Sequence, residues 1–210
     1  MSRHRSASRD DDVGFTRLRA VLAGALVLGV GATLTMAAWT DTEYASGSFA
    51  ASTFSTESMT ATTSWGSHDT APGAALLAFN ASAMSPGASA FAWVNVRTTS
   101  PTTVSGTITL DSVAPSGALV PALEYRAVRT AATTTNCDST AFTGGTFIAG
   151  GASTYIAAGS VPASPVSSPL AAAGGEVRFC FEVRVIASAA NTFQGTTATL
   201  VWKLGATSSS

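Results

Sequence analysis

The chain has 210 residues, of which 46% are hydrophobic and 11% charged, and its formal net charge is −1. This length is enough for one domain with a substantial core. The balanced charge shows none of the basic clustering that marks a nucleic-acid-binding protein, so we expect no nucleic-acid partner.

The first forty residues have the pattern of an export signal. Arg17 and Arg19 precede an apolar run from Ala20 to Ala38, which ends in small residues and is followed by polar ones. A positive flank, an apolar core and a small-residue exit are typical of a secretory signal peptide. The run also falls within the length of a single membrane span, about 17 to 25 residues, so a retained anchor is the alternative.

The end of this run resembles the signal segment of a known group of exported proteins. Three short stretches carry the resemblance: Gly31-Ala32-Thr33, Ala37-Ala38-Trp39-Thr40-Asp41 and Ala45-Ser46-Gly47-Ser48-Phe49. They are similar to proteins processed by SipW-type signal peptidases, which include the TasA/camelysin family of secreted bacterial matrix proteins and actinobacterial relatives. The resemblance implies cleavage between Ala38 and Trp39 by such a peptidase, membrane contact only before cleavage, and a secreted or cell-surface location.

Cleavage at this position would divide the chain into a cytoplasmic and signal segment, residues 1–38, and one secreted domain, residues 39–210. The secreted part carries six basic and nine acidic side chains, a net charge of about −3. A weakly charged surface rich in serine, threonine, alanine and glycine suits an extracellular protein.

The start of the secreted part carries aromatic side chains along a polar stretch: Trp39, Tyr44, Phe49 and Phe54. An extended segment of this kind can add a strand to an exposed sheet edge of another copy. We therefore expect these residues to form a candidate donor strand for self-assembly. The alternative is a monomer in which the segment folds back onto its own sheet.

From Gly47 onward, apolar and polar residues alternate with a period of two, which is typical of strands. The clearest strand is Glu176–Val185, with one apolar and one polar face. Further strands are predicted over Ala90–Val96, Val104–Leu110, Thr196–Leu204, Ser48–Phe54, Ser58–Thr63, Ala75–Phe79, Leu123–Arg129, Thr146–Ile148 and Thr154–Ala157. Glycine and proline turn signals separate them, which favours an all-β, antiparallel β-sandwich after the N-terminal signal or transmembrane helix.

A second resemblance concerns the sandwich itself. Met84-Ser85-Pro86-Gly87, then Trp93-Val94-Asn95-Val96 and Gly106–Leu110, look like the core of the TasA-like jelly roll. Ala88 stands where that family usually has an acidic residue. The resemblance implies a jelly-roll-like connection of the strands.

Cys137 and Cys180 are the two cysteines of the chain. In an oxidising exterior such a pair is expected to form one disulfide. It would close a loop of about 43 residues and contribute roughly 4 kcal/mol in the chain-entropy model. A redox or metal pair, the alternative, would want closer spacing and a histidine partner. Because Cys180 has the polar register of its strand, we expect the disulfide on the wet outer face.

Residues that could carry chemistry are few. His68 is the single histidine after residue 38, so a two-histidine zinc motif is impossible there. His68 beside Asp69 is either a metal-ligand pair or, as we expect, a solvated loop pair. There is no Gly-x-Ser-x-Gly elbow and no phosphate-binding glycine loop. We therefore expect no metal, no cofactor and no enzymatic activity, with a secreted camelysin-type hydrolase as the alternative.

Tryptophan and arginine side chains are the remaining candidates for ligand contacts. Trp93 and Trp202 lie in apolar strands and are expected in the core, whereas Trp65, in a loop, is open between ligand contact and packing. Arg126 and Arg129 are expected at the surface. The sequence favours a structural protein of the cell surface or extracellular matrix, fibre-forming by strand donation, with a carbohydrate-binding adhesin as a further alternative.

Overall fold

The structure is a computed structural model that describes residues 10–33 and 42–209. The chain divides into two compact units, residues 1–49 and 50–210. The cleavage junction expected between Ala38 and Trp39, and with it the domain boundary at 38/39, lies outside the described residues.

In the first unit, helix α1 spans Asp10–Thr33 and so begins before the apolar run. The large apolar side chains described along it are exposed: Phe15, Leu18, Val21, Leu22 and Leu26. Among the described residues, no helix has the length and apolar character that a membrane crossing needs. Residues 42–49 have no regular secondary structure.

The second unit is built from two antiparallel sheets. The larger sheet contains β1 (Thr56–Thr60), β2 (Ser89–Thr98), β4 (Leu123–Arg129), β5 (Thr146–Ala149), β6 (Ile156–Ala157) and β8 (Glu176–Val185). The smaller sheet contains β3 (Gly106–Ser116), β7 (Ser168–Leu170) and β9 (Thr199–Ser208), and a short helix α2 (Ala141–Gly144) lies between β4 and β5. The strand orders are β1-β2-β8-β4-β5, with β6 also paired to β4, and β7-β3-β9.

The apolar faces of the two sheets share one core. Phe179 and Phe181 of β8, and Ile108 and Leu110 of β3, are each no more than 2% exposed. The Trp202 ring of β9 packs 5.0 Å from that of Phe181, centroid to centroid. The predicted all-β fold of antiparallel sheets around a central core is confirmed, because each strand turns its alternate apolar residues inward.

Two strands have the boundaries that the sequence predicts, although only one of them was the clearest candidate. The predicted strands Glu176–Val185 and Leu123–Arg129 match β8 and β4 residue for residue. β3 runs further than predicted, through Pro115 to Ser116, because its pairing with β9 continues beyond Leu110. Among the described strands β7 pairs only with the first three residues of β3, so that Pro115 lies where β3 is an edge. Proline is tolerated on such an edge. A register shift after Leu110 then returns Val113 to the core.

The prediction of a strand at Ala75–Phe79 is wrong, although the side chains of this segment do alternate between buried and exposed. Leu77 and Phe79 pack against the core while Leu76 between them is 67% exposed, as strand alternation requires. The segment is nevertheless outside both sheets, and its Leu76 carbonyl accepts a hydrogen bond from the Thr60 hydroxyl, 2.8 Å. Alternate residues of this extended segment are buried by packing against the core, although its main chain pairs with no strand of either sheet.

Candidate functional site

The expected donor segment is exposed where the structure describes it. Tyr44 is 95% exposed and Phe49 is 98% exposed. The strand predicted over Ser48–Phe54 does not form, and residues 42–55 have no regular secondary structure. Trp39, the first expected donor residue, lies outside the described residues.

The last expected donor residue, Phe54, belongs to the domain itself. Thr53 and Thr103 exchange two hydrogen bonds, with the Thr53 N–H on the Thr103 hydroxyl and the Thr103 N–H on the Thr53 carbonyl, both 3.0 Å. The Thr99 N–H donates to the Ser55 carbonyl at 3.0 Å. We call this contact between Thr53–Ser55 and the Thr99–Thr103 loop the threonine clasp.

Phe54 sits within the clasp with its ring against β3. A methyl group at Gly106 would lie 2.7 Å from the Phe54 ring, closer than carbon atoms approach, so the ring fills the space that glycine leaves. The side chain is accordingly half-buried. The part of the N-terminal segment that is free to reach another molecule therefore ends before Thr53.

One edge of the smaller sheet is unpaired in the described part of the chain. β9 is ten residues long and pairs with β3 on one side, while the sheet order places no strand on its other side. Its partly buried apolar residues face the core, namely Leu200, Trp202, Leu204 and Ala206. An edge of this length offers main-chain donors and acceptors to an additional strand.

The predicted disulfide joins Cys137 to Cys180, with Cα atoms 5.4 Å apart. As expected, Cys180 lies on the outer face of β8, away from the main core, and the bridge holds the Cys137 loop against that face. The expectation that this face is wet is wrong, because Cys180 is fully buried. α2 and the neighbouring loop cover the middle of this outer face, and Phe142 and Val128 pack with the disulfide in a second, smaller core. Alternation along β8 could not show this, because the covering residues come from elsewhere in the chain.

Next to this second core lies a buried ionic network that the sequence did not reveal. Arg126 Nε donates to Glu182 Oε2 at 2.7 Å, and the hydroxyls of Ser89 and Tyr155 donate to Glu182 Oε1 at 2.6 and 2.8 Å. Only 12% of the Arg126 side chain is exposed, so its expected surface position is wrong. The signal available in the sequence was the alternation of acidic and basic residues on one face of β8.

The network controls the ionisation of its members. Burial opposes the charge on Glu182, but the hydrogen bonds from Ser89, Tyr155 and Arg126, together with the Arg126 charge, outweigh it and hold the pKa of Glu182 below its usual range. Burial and the hydrogen bond to Glu182 raise the pKa of Tyr155. The carboxylate is therefore a fixed anion that ties three strands and a loop together.

One of the tryptophans lies differently from expectation. Trp202 is in the main core as predicted, whereas Trp93 is half-buried on the opposite face of the larger sheet, where Arg178 Cζ stacks 4.1 Å from its ring centroid. Trp65, for which the sequence favours neither ligand contact nor packing, is stacked by Arg97 Cζ at 4.0 Å. Trp93 was mistaken for core because its strand is apolar on both faces.

The other candidate residues, His68, Asp69 and Arg129, do not come together into a catalytic or metal-binding group in the described part of the chain. His68 Nδ1 lies 2.9 Å from the Ser58 hydroxyl, and Asp69 is exposed. Within residues 10–33 and 42–209, no group of three or more metal-ligating side chains is close enough to hold an ion. Arg129 is half-exposed and lines an open cleft of about 410 Å³ together with Arg178 and Glu176.

No protein-family model matches the chain, and no curated protein matches its sequence. The features that bear on function are the N-terminal segment, the open edge of β9 and the outer face of the larger sheet.

Proposed function

We propose that this chain is a secreted structural protein of the cell surface or extracellular matrix, without enzymatic activity, that assembles by donating its N-terminal segment to another copy. The proposal includes export through the N-terminal signal or transmembrane helix, cleavage after Ala38 by a SipW-type peptidase, and the jelly-roll connectivity of the TasA/camelysin family. Two observations carry the assembly step. Tyr44 and Phe49 are exposed, and the ten-residue strand β9 has one edge without a partner strand in the part of the chain that the structure describes.

The segment gains from being covered. Burying an aromatic side chain from full exposure contributes about 1.5–3 kcal/mol, and Tyr44 and Phe49 are both almost fully exposed. The main chain of residues 42–52 is unpaired in the ladders that the structure describes, so a second copy can pair with it. The β9 edge supplies matching donors and acceptors.

The threonine clasp gives the donor a fixed starting point. Thr53 and Ser55 hold the chain to the Thr99–Thr103 loop, so the donor can swing away without loss of Phe54 from its own domain. Retention of residues 1–38 would tether the segment at the membrane. Cleavage is thus the event that releases the donor outside the cell.

The proposal is tested with three purified chains: residues 39–210, residues 53–210, and residues 39–210 with Tyr44→Ser and Phe49→Ser. The first should assemble, whereas the second keeps the clasp and should stay monomeric while binding a synthetic peptide of residues 39–52. The third should assemble poorly, and Leu76→Ser, which removes an exposed leucine outside the donor, should assemble normally. Assembly of residues 53–210, or failure of the peptide to bind it, would refute strand donation.

A further inference from the structure

The loop that joins β1 to β2 is long and contains no helix or strand. It runs from Ala61 to Ala88, with turns, bends and one isolated bridge, between Gly66 and Ser58 of β1. Connections longer than about 12–15 residues without secondary structure are uncommon in compact domains and usually have a function, as lids or binding loops. We call residues 61–88 the cover loop, because part of it packs over the core.

The cover loop bridges the edge strands β1 and β9. The Leu76 carbonyl accepts hydrogen bonds from the Thr60 hydroxyl, at the end of β1, and from the Thr62 hydroxyl, at 2.8 and 3.1 Å. Three residues further on, the Phe79 ring lies 5.8 Å from the Trp202 ring of β9, centroid to centroid. Because β1 and β9 are each the last strand of their sheet, the loop spans the gap between two open edges.

Side chains, and not a strand ladder, hold the cover loop in place. Leu77 and Phe79 pack against the core, and the Ser58 hydroxyl lies 2.9 Å from His68 Nδ1. In the described part of the chain, the main chain of residues 75–79 belongs to neither sheet, and the Phe79 N–H donates to the nearby Leu77 carbonyl at 3.0 Å. Segments with few buried apolar contacts and no ladder are the first to open in a folded protein.

The strand next to this segment is incompletely buried. Four inward side chains of β9 are only partly buried: Leu200, Trp202, Leu204 and Ala206. By contrast, Ile108 and Leu110 on the neighbouring strand β3 are at most 2% exposed. β9 therefore combines an unpaired edge with an inner face that is not fully covered. A true strand in this place would add main-chain hydrogen bonds along β9 to the apolar contacts that the loop now makes.

The donor segment has an alternation that suits this place. One set of alternate residues is small or apolar: Ala45, Gly47, Phe49 and Ala51. The intervening residues are mostly serine: Ser46, Ser48, Ala50 and Ser52. In an extended strand the first set shares one face, so that Phe49 is flanked by small side chains on the apolar face. A strand with one inward aromatic ring can replace the contact that Phe79 makes with Trp202.

We propose that the cover loop occupies the binding site of the donor segment, and that residues 42–52 of a second copy displace Leu76–Phe79 and pair with β9. Phe49 of the donor then takes the place of Phe79 against Trp202. The inference rests on strand donation and specifies where the donor binds. Because only molecules with an open loop accept a donor, the apparent affinity is reduced by the fraction that is open, and the loop restrains assembly.

Displacement of the loop is tested by thiol labelling of residues 53–210, which contain both sheets and the threonine clasp. The native cysteines are bridged, so a thiol introduced by Leu77→Cys is the one that reacts. We expect slow labelling of this half-buried position in the free protein and labelling at least about tenfold faster with a saturating synthetic peptide of residues 39–52. Leu76→Cys, already exposed, is the matched control and should react equally fast with and without peptide.

Affinity for the peptide gives a second test. Leu77→Ala and Phe79→Ala weaken the closed loop and should tighten peptide binding at least about threefold, because more molecules are open. Leu76→Ala, in the same segment but exposed, should leave the affinity unchanged. Ile156→Ala, which removes core packing from β6, controls for general destabilisation and should not tighten binding. A peptide with Phe49→Ser should bind at least about tenfold more weakly.

The outcomes separate this inference from strand donation itself. A peptide that binds without accelerating the labelling of Leu77→Cys, or with unchanged affinity for folded Leu77→Ala and Phe79→Ala proteins, would overturn displacement of the loop and leave strand donation intact. A peptide that does not bind residues 53–210 would refute both. Thermal unfolding checks that each variant folds, and Leu77→Ala provides the answer if Phe79→Ala does not fold.

Discussion

Arg126 and Glu182 face each other across β4 and β8, with Nε and Oε2 2.7 Å apart and only 12% and 4% of their side chains exposed. The pair lies on the face away from the main core, where Arg126 also stacks on Phe142 and Tyr155 at 4.6 and 4.8 Å. A charge buried this deeply is tolerated because every strong hydrogen-bonding partner is in place. The outer face of the sheet is thus held by an ionic network as well as by the disulfide.

Glu182→Gln should be strongly destabilising, because it leaves Arg126 charged and buried without its partner. We expect a loss of about 3–5 kcal/mol in the free energy of unfolding, measured by urea denaturation at pH 7. Glu124→Gln, in the more exposed pair with Arg184, is the matched control and should cost about 0–1 kcal/mol. Equal losses in the two variants would contradict the special role of the buried pair.

The same network predicts a dependence on pH. Because the folded protein holds the pKa of Glu182 below its unfolded value, the stabilisation is complete above the unfolded value of about 4.3 and is lost as the pH falls through the folded pKa. Urea midpoints of the wild-type protein should therefore fall steeply below about pH 4. In Glu182→Gln that fall should be shallower, and an identical slope would refute the assignment.

These residues also show what the sequence could and could not predict. β8 and β4 were predicted to the residue because period-two alternation records burial against one facing sheet. The burial of Cys180 and Glu182 depends on α2 and Tyr155, which approach from distant parts of the chain. Residues that are buried by segments far away in the sequence show no local pattern of their burial. The second core and the ionic network therefore could not be predicted from the sequence.

The disulfide should make a large contribution to stability. Replacing Cys137 and Cys180 together by serine should lower the free energy of unfolding by about 4 kcal/mol, since the bridge closes a loop of about 43 residues in the unfolded chain. The intact mass under non-reducing conditions should be lower than after reduction by about two hydrogens. Quantitative labelling of the native protein with a thiol reagent would show that the bridge does not form in solution.

The threonine clasp predicts where the ordered domain begins. Brief digestion of residues 39–210 with a broad-specificity protease should remove residues up to about Ser52 and stop there. Phe54→Ala should cost about 1 kcal/mol, as the side chain is half-buried, and should allow cutting beyond Ser55. Gly106→Ala should expose the same sites, because its methyl group would meet the Phe54 ring. It should also disturb the pairing of β3 with β9, because the Thr207 carbonyl oxygen lies closer still. Cutting that passes Ser55 in the unaltered protein would contradict the clasp.

Export makes a prediction about the N-terminus. Amino-terminal sequencing of protein recovered from culture supernatant should begin at Trp39, and replacing Ala38 by a bulky residue should block processing, because the peptidase cleft requires small side chains. Recovery from membranes alone, with residues 1–38 intact, would favour the retained anchor.

Strand donation is tested most directly by electron microscopy of purified residues 39–210, examined over a range of protein concentrations, pH and salt. The account predicts fibres that appear with the unaltered chain and are absent when residues 39–52 are deleted, while the shortened chain keeps the same cooperative unfolding. A protein that remains monomeric at high concentration under all these conditions, by microscopy and by sedimentation, would contradict assembly by strand donation.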